Sequence, residues 1–296
     1  MRSLLFALLS VIAVPAFTAA PEPMSSDPDW NRDHPPAVVE LTISSAGKRL
    51  PGHIYIANGP GPHPTLVLLH GFPGNEKNLD IAQALRRAGF NVVFFHYRGA
   101  WGAEGSYRIT QLPDDVAAVL AYLRTPEHAE RLRINVDKLS LLGHSLGGWT
   151  SLAAGSNDAD VVCVGAMAPV NLGLWKSGLG QDDPNTQRLL AYADQLFMLA
   201  DFDSAVMRSE LEGAGMDQLD TTRFGPGLEG KSVLLVTGDS DSVTPADTMT
   251  EPVSDAYDKV GNMRLRTLVI SGDHSFSWSR VALTRIVIDW ALADCR

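Results

Sequence analysis

The 296-residue chain contains only two cysteines, Cys163 and Cys295. Two cysteines are too few for a disulfide-rich scaffold or for a zinc site built on thiolates. Cys163 lies in an apolar run typical of a central strand, whereas Cys295 is next to the C-terminus. A disulfide needs Cα atoms roughly 4.4–6.8 Å apart, and nothing in the sequence brings these two residues together. We therefore expect two free thiols, with that of Cys163 buried.

Positive charge is scarce, and long apolar runs are missing. The chain has 24 Lys and Arg against 34 Asp and Glu, a formal net charge of −10. A protein this acidic repels phosphate backbones, so we expect no nucleic-acid partner. No run reaches the roughly 18 apolar residues that a membrane span needs. With 45% hydrophobic and 20% charged residues, the composition is that of a folded globular protein with a large core.

The first twenty residues have the layout of a secretory signal peptide. Arg2 precedes an apolar run from Leu4 to Val14, and small residues follow it up to Ala20. A positive start, a short apolar stretch and a small-residue end are the parts of such a signal. Residues 21–36 are rich in Pro, Ser and Asp, which predicts a mobile lead-in. We expect an exported protein, either periplasmic or secreted.

Strand and helix patterns alternate along residues 37–296. Two segments around Ala46-Gly47 alternate apolar and polar residues, which predicts two antiparallel strands at the start. Short apolar runs follow, of the kind found in strands that are buried on both faces. These runs are Thr65–Leu69, Asn91–His96, Leu139–Leu142, Val161–Met167, Ser232–Thr237 and Arg264–Ile270. Helical patterns occupy Asn78–Ala88, Asp114–Arg124, the segments after Ser145 and Pro245, and Ser279–Ala293. This alternation predicts a mostly parallel sheet covered by helices on both faces.

Residues 171–230 show no strand pattern and so interrupt the alternation of strands and helices. They carry ten acidic and four basic residues. Leu196 and Phe197 belong to an apolar helical stripe over residues 184–200, and a second helix is predicted over residues 203–211. An insertion of this length usually has a role, such as covering a site. We expect a helical cap that uses Leu196 and Phe197 to bind substrate; the alternative is a surface decoration.

The most specific local motif is Gly143-His144-Ser145-Leu146-Gly147, which ends a predicted strand and opens a predicted helix. It matches G-x-S-x-G in the context that this motif requires. The serine must project from a tight turn, so small neighbours are needed. The helix N-terminus offers free N–H groups to a developing oxyanion. Ser145 is therefore the candidate nucleophile.

A serine nucleophile needs a base, and the base needs an orienting carboxylate. Asp241 follows one predicted strand and His274 follows the next. Ligands bind at the carboxyl ends of strands in open α/β sheets, so Ser145, Asp241 and His274 should meet there in the chain order Ser, Asp, His. Asp239 is the alternative acid. Val243 and Thr244 stand where a calcium loop would need other residues, so no metal is expected.

These motifs, in this order and spacing, resemble the α/β-hydrolase superfamily over residues 37 to 293. The segment Phe95–Ser106 is similar to a loop of prolyl-oligopeptidase-like and dienelactone-hydrolase-like members. A dienelactone hydrolase would carry cysteine where this chain has Ser145. The resemblance implies an α/β-hydrolase fold with a mostly parallel central sheet of about eight strands, helices on both faces and a helical cap insertion.

The resemblance also implies an oxyanion hole. His70-Gly71-Phe72-Pro73-Gly74 looks like the family's loop after the third strand. The backbone N–H groups of Phe72 and Leu146 would then stabilise the tetrahedral oxyanion. His70 would be a structural residue of that loop.

We expect a serine hydrolase that cleaves a carboxylic ester through an acyl-enzyme and uses no cofactor. One alternative is a small peptidase or amidase with the same three residues. The other is a non-catalytic binding protein on a hydrolase fold. The expected partner is a small ester or a short peptide substrate, with no stable membrane insertion after signal cleavage.

Overall fold

The computed structural model describes residues 22–181 and 183–296. The predicted signal peptide, residues 1–20, lies outside the described residues. Within the described residues no helix is long and apolar enough to cross a membrane.

Eight strands form one sheet. They are β1 Ala37–Ser45, β2 Lys48–Ile56, β3 His63–Leu69, β4 Asn91–Phe95, β5 Ile134–His144, β6 Val161–Met167, β7 Ser232–Gly238 and β8 Arg264–Ile270. Their spatial order is β1-β2-β4-β3-β5-β6-β7-β8. β2 runs antiparallel to both β1 and β4, and the strands from β4 to β8 are parallel. The predicted fold class is confirmed.

Ten α-helices flank the sheet within the described residues. They are α1 Leu79–Arg87, α2 Leu112–Arg124, α3 Pro126–Arg131, α4 Leu146–Asn157, α5 Leu172–Leu179, α6 Pro184–Ala193, α7 Ser204–Gly213, α8 Met216–Leu219, α9 Glu251–Tyr257 and α10 Arg280–Asp294. Short 3₁₀ turns occupy Ile109–Gln111, Thr221–Arg223 and Gly225–Leu228, and a π turn at Ala246–Thr250 leads into α9.

Two apolar clusters fill the two faces of the sheet. One joins α2, α4 and the 171–230 insertion to one face, with Trp149 among its buried side chains. The other joins α1 and α10 to the opposite face, with Phe90 and Trp290 in its interior. The inner strands are buried on both faces; β4 and β7 have no exposed residue. This double burial explains why their sequences are continuous apolar runs without alternation.

The two cysteines form a disulfide, so the expectation of free thiols was wrong. Cys163 and Cys295 are 132 residues apart in sequence, but their Cα atoms are 5.8 Å apart. The reason lies in the packing of α10. A Cβ at Gly165 would lie 3.1 Å from the Trp290 ring, so this helix lies directly on β6. Cys163 is on the same face of β6 as Gly165, and Cys295 follows the last turn of α10.

The lead-in has no helix or strand between residues 22 and 36. It nevertheless contacts the domain at several points. The Asn58 side chain accepts a hydrogen bond from the backbone N–H of Asn31 at 2.7 Å. Arg87 donates to the carbonyl of Pro23, and Met24 packs against the cluster under α10. Its mobility stays a prediction.

The 171–230 insertion is mostly helical, as expected, and the helix predicted over residues 203–211 corresponds to α7, Ser204–Gly213. The apolar pattern over residues 184–200 predicted one helix, which in fact ends at Ala193. Residues 194–200 form turns that contact the loop after β4. There the carbonyl of Met198 accepts from the N–H of Trp101, and Ala200 donates to the carbonyl of Gly99 at 2.7 Å. The insertion is therefore attached to the domain next to the carboxyl ends of the strands.

Candidate active site

Ser145 lies in a tight turn between β5 and α4. Its backbone φ is 58° and its ψ is −120°, a region that non-glycine residues rarely adopt and that costs on the order of 1–3 kcal/mol. Hydrogen bonds hold the turn: the N–H of Ser145 donates to Met167 at 2.8 Å, and its carbonyl accepts from Gly148 at 2.9 Å. The strain is thus supported by β6 on one side and by the first turn of α4 on the other.

The two glycines of the motif permit this turn for steric reasons. A Cβ at Gly143 would lie 1.8 Å from the carbonyl oxygen of Gly147. A Cβ at Gly147 would lie 2.3 Å from the carbonyl oxygen of Leu69. A side chain at Gly143 would therefore push β5 away from α4, and one at Gly147 would push α4 away from β3. This close approach explains why glycine occupies both flanking positions of the motif.

The structure brings Ser145, His274 and Asp241 into one hydrogen-bonded row. The distance from Ser145 Oγ to His274 Nε2 is 2.9 Å, and that from His274 Nδ1 to Asp241 Oδ2 is also 2.9 Å. The three residues come from the carboxyl ends of β5, β7 and β8. Ser145 is 7% exposed, so its hydroxyl group is reached only through the cavity described below.

Asp241 is held by its own loop. Its Oδ1 accepts from the N–H groups of Val243 and Thr244, and its Oδ2 accepts from the Thr244 hydroxyl at 2.6 Å. Burial raises the pKa of this carboxyl, but the hydrogen bond and charge of His274, together with the bonds from Thr244, lower the pKa to about 2. The alternative acid, Asp239, accepts instead from Ser240 and from the N–H of Gly272.

His144 positions the loop that carries His274, a role that sequence reasoning missed. The sequence shows it only as the neighbour of Ser145. Its Nε2 donates to the carbonyl of His274 at 2.7 Å. Burial, followed by the neighbouring His274, lowers the pKa of His144 to about 3, so its ring is neutral and carries its single proton on Nε2.

Leu146 follows Ser145 in the chain, and Phe72 follows Gly71 in the loop after β3. The loop after β3 approaches so closely that a Cβ at Gly71 would be 3.0 Å from Ser145 Cβ. Within the described part of the chain, no protein group accepts a hydrogen bond from the N–H of Phe72 or of Leu146. Trp101 fixes the loop by donating from its indole nitrogen to Pro73 at 2.7 Å. Two free N–H groups beside a serine hydroxyl can stabilise an oxyanion.

His70 is fully buried inside the same loop. Its Nδ1 donates to the carbonyl of Gly71 at 2.9 Å. Burial and the nearby His96 lower the pKa of His70 to about 3. It packs 4.6 Å from the Tyr97 ring and does not contact Ser145, in line with the structural role that the resemblance implied.

A cavity of about 150 Å³ opens above Ser145 and His274. The loop after β3 forms one wall, from Gly71 to Glu76, and Ser275 lies beside the histidine. Of the insertion's described residues, Tyr192 of α6 is the one that lines the cavity. Glu76 and Tyr192 were not predicted from the sequence; Tyr192 lies three residues after Leu189 of the predicted stripe, which is the signal that could have found it.

Leu196 and Phe197 do not line this cavity. The Phe197 side chain is 93% exposed, and Leu196 is buried in the core. The helical spacing over residues 184–200 predicted that both side chains face the substrate, but this prediction assumed a helix that continues beyond Ala193. Since α6 ends there, the following turns rotate the two side chains away from the positions that a continuous helix would give them.

A larger cavity of about 350 Å³ lies elsewhere, between α2, α4 and α8. Trp149 and Asp114 are in its wall. The nucleophile and the base do not reach it, so its size does not make it the candidate site. Among the described residues, no group of three or more His, Cys, Asp or Glu side chains could hold a metal ion.

A family model for the alpha/beta hydrolase fold matches residues 64–275. The chain belongs to this family. The match covers most of the chain, including Ser145, Asp241 and His274. The structural neighbours of this hydrolase-fold protein are members of the same fold class.

Two solved structures illustrate the likeness. The 2,6-dihydroxy-pseudo-oxynicotine hydrolase aligns with a TM-score of 0.65 and 20% identity, covering 89% of this chain and 69% of that one. An acylaminoacyl peptidase of Pyrococcus horikoshii aligns with a TM-score of 0.63 and 13% identity, covering 88% of this chain but 42% of that one. At sequence identities this low, the structural similarity shows a shared fold alone.

A curated relative is also similar in sequence over a shorter stretch. The uncharacterized protein YfhR of Salmonella typhimurium is 34% identical over 91 residues, which is 30% of this chain and 30% of that protein. The matched segment thus spans under a third of the relative's length.

Proposed function

We propose that the protein is a serine hydrolase that cleaves a small carboxylic ester through an acyl-enzyme. The observation that carries the proposal is the His274 ring, which bridges Ser145 and Asp241 with 2.9 Å contacts on both nitrogens. A neutral imidazole in this position can take the proton of the serine hydroxyl, and the carboxylate holds the ring in the tautomer that does so.

The proposed reaction follows from this arrangement. Ser145 Oγ attacks the ester carbonyl while His274 Nε2 accepts its proton. The negative charge on the carbonyl oxygen is stabilised by the N–H groups of Phe72 and Leu146. The intermediate collapses, and His274 returns the proton to the leaving alcohol. Water then repeats the sequence on the acyl-enzyme and releases the acid.

The cavity favours small substrates. A volume of about 150 Å³ is below the range of roughly 300–1,000 Å³ typical of sites for drug-sized ligands. A peptidase or amidase is the second candidate, supported by the structural likeness to an acylaminoacyl peptidase. Both reactions use the same residues and differ in the leaving group that His274 must protonate.

We also propose that the protein acts outside the cytoplasm, in the periplasm or as a secreted protein. The signal-like residues 1–20 support this location. The disulfide between Cys163 and Cys295 supports it independently, because such bonds form and persist mainly in oxidising compartments.

A substrate panel tests the proposed function. Rates are measured on p-nitrophenyl esters from acetate to octanoate and on aminoacyl-p-nitroanilides, for the wild type and for Ser145→Ala. Ser209→Ala, an exposed serine on α7, is the matched control. We expect ester hydrolysis to fall by roughly 10⁴–10⁶ in Ser145→Ala and to be unchanged in the control.

The outcomes separate the candidates. Faster cleavage of the anilides than of the esters would favour the peptidase. Near wild-type turnover by a folded Ser145→Ala protein would show that the mechanism is wrong.

A further inference from the structure

We infer that Glu76 selects esters whose alcohol part carries a positive charge. This inference rests on the proposed ester hydrolysis, since it names the substrate class of the same site. It depends on where the leaving group lies, on the charge of the cavity wall and on the aromatic rings beside it.

The alcohol part of a bound ester must lie on the His274 side of the cavity. His274 Nε2 delivers the proton to the leaving oxygen, so that oxygen lies within hydrogen-bond reach of it. Ser275 comes next in the chain and lines the same cavity, as Glu76 does. A second, more open depression adjoins the first, because Glu76 and Ser275 border both. An alcohol group leaving past His274 therefore extends along Glu76.

The carboxylate of Glu76 has no cationic partner among the described residues. Its Oε1 accepts the N–H of Asn78 at 2.6 Å, and no ion pair involves it in the described part of the chain. The neighbouring Lys77 is directed elsewhere: its ammonium group lies 5.4 Å from the Trp101 ring centroid. Glu76 thus presents an uncompensated negative charge to the cavity.

The nearest guanidinium does not cancel this charge. Arg280 borders the second depression, but it donates to both oxygens of Asp80, at 2.5 and 2.9 Å. The pair is close to neutral when seen from the cavity. The net charge along the leaving-group path is therefore that of Glu76, and a cation placed there gains Coulomb energy while an anion loses it.

Aromatic rings complete the site. Phe72 and Tyr192 both line the cavity, and their ring centroids are 6.1 Å apart in an edge-to-face arrangement. The face of an aromatic ring attracts a cation within about 6 Å of its centroid. One carboxylate beside two rings is the chemistry that recognises a substituted ammonium group, such as that of an amino alcohol or of choline.

The test compares a cationic ester with a neutral ester. Choline acetate and 3,3-dimethylbutyl acetate have nearly the same shape, but only the first carries a positive charge. We expect the wild type to show kcat/KM roughly fivefold or more higher for the choline ester, with the ratio shrinking as NaCl rises from 0.05 to 0.5 M.

Glu76→Gln should lower this ratio toward one, because the glutamine has no charge that attracts the ammonium group. The glutamine keeps an oxygen that can accept from Asn78, so the loop geometry is retained. Glu127→Gln is the matched control. Glu127 is exposed on α3, which precedes β5 and so lies at the opposite end of the sheet. An equal or reversed preference in the wild type, or an unchanged preference in Glu76→Gln, would overturn the inference.

A binding measurement separates this inference from the proposed reaction. Calorimetry with Ser145→Ala protein compares choline with 3,3-dimethylbutanol, and needs no turnover. Tighter binding of choline that is lost in Ser145→Ala/Glu76→Gln supports charge selection even if no ester is cleaved. Equal binding of the two alcohols would contradict it, whatever the panel of esters shows.

Discussion

At the scale of single residues, the candidate site depends on how Asp241 is held. The carboxylate accepts four hydrogen bonds, from His274, from the N–H groups of Val243 and Thr244, and from the Thr244 hydroxyl. Its side chain is fully buried. A buried carboxylate with this many donors is strongly favoured in its ionised form. It can therefore orient His274 and stabilise the imidazolium that the proposed reaction would form.

Replacing Asp241 by Asn should lower kcat by about 10³–10⁴ without unfolding the protein. The amide fills the same volume, but it presents a donor or an uncharged acceptor to His274 Nδ1 and favours the wrong tautomer. Stopped-assay rates on the best p-nitrophenyl ester measure the loss, and circular dichroism checks the fold. Asp239→Asn should keep most of the activity; if it proved the more damaging substitution, Asp239 would be the orienting acid.

Asp241 should also contribute to acid stability. Its pKa in the folded protein is about 2, below the ordinary value of 3.8. The folded state thus favours the ionised form, so the contribution is present above pH 4 and is lost as the pH falls toward 2. It is on the order of 2 kcal/mol. Urea unfolding between pH 2 and pH 6 should show a smaller pH dependence for Asp241→Asn than for the wild type.

The control for this measurement is Asp137→Asn, a change at an exposed position of β5. It should reproduce the wild-type dependence. A wild-type slope retained in Asp241→Asn would show that other carboxylates carry the acid response.

At the scale of elements, α6 joins the insertion to the site. α6 brings Tyr192 to the cavity, and the turns after it are hydrogen-bonded to the loop that follows β4. That same loop is hydrogen-bonded to the loop after β3 through Trp101 and Pro73. The insertion and the loop after β3 are therefore parts of one connected structure.

Tyr192→Ala should widen the cavity and shift the preference toward longer acyl or alcohol groups. Removing the ring eliminates one wall, so the ratio of kcat/KM for octanoate to that for acetate should rise by several-fold, since each buried CH₂ contributes about 0.8 kcal/mol. The p-nitrophenyl ester series measures it.

Phe197→Ala is the matched control for Tyr192→Ala, because its ring is 93% exposed. It should leave the chain-length profile unchanged. A shift in Phe197→Ala equal to that in Tyr192→Ala would mean that the insertion adopts another position when substrate binds.

At the scale of the whole molecule, the disulfide ties the last residues to the centre of the sheet. It joins Cys163 of β6 to Cys295 after α10 and closes a loop of about 130 residues. Cross-linking a chain over such a distance stabilises the folded state mainly by restricting the unfolded chain. α10 in turn covers one face of the sheet with Trp290 and its neighbours.

Replacing both cysteines by alanine should lower the free energy of unfolding by about 2–5 kcal/mol. Chemical denaturation of the double variant and of the wild type, each without reductant, measures the difference. Catalytic rates at 25 °C should change little, because neither cysteine lines the cavity. Thiol titration of unreduced, denatured wild type should give no free thiol; finding two would show that the bond does not form.

The sequence by itself determined the fold class, the strand order along the chain and the three residues that meet at the carboxyl end of the sheet. Apolar runs and helical spacing are local properties, and the steric demand of the turn at Ser145 appears directly as Gly143 and Gly147. Ser145, Asp241 and His274 each come just after one of the parallel strands, which places them on the same edge because parallel strands end together.

Only the tertiary structure decided which side chains surround that edge. The contacts of Glu76, His144 and Tyr192 depend on how segments far apart in sequence pack together, and no local pattern contains that information. The direction of Phe197 depended on the end of α6 at Ala193, and the disulfide depended on the packing of α10 over β6. Spacing along the chain sets an element's own geometry, whereas distances between elements are set by the packing of the whole core.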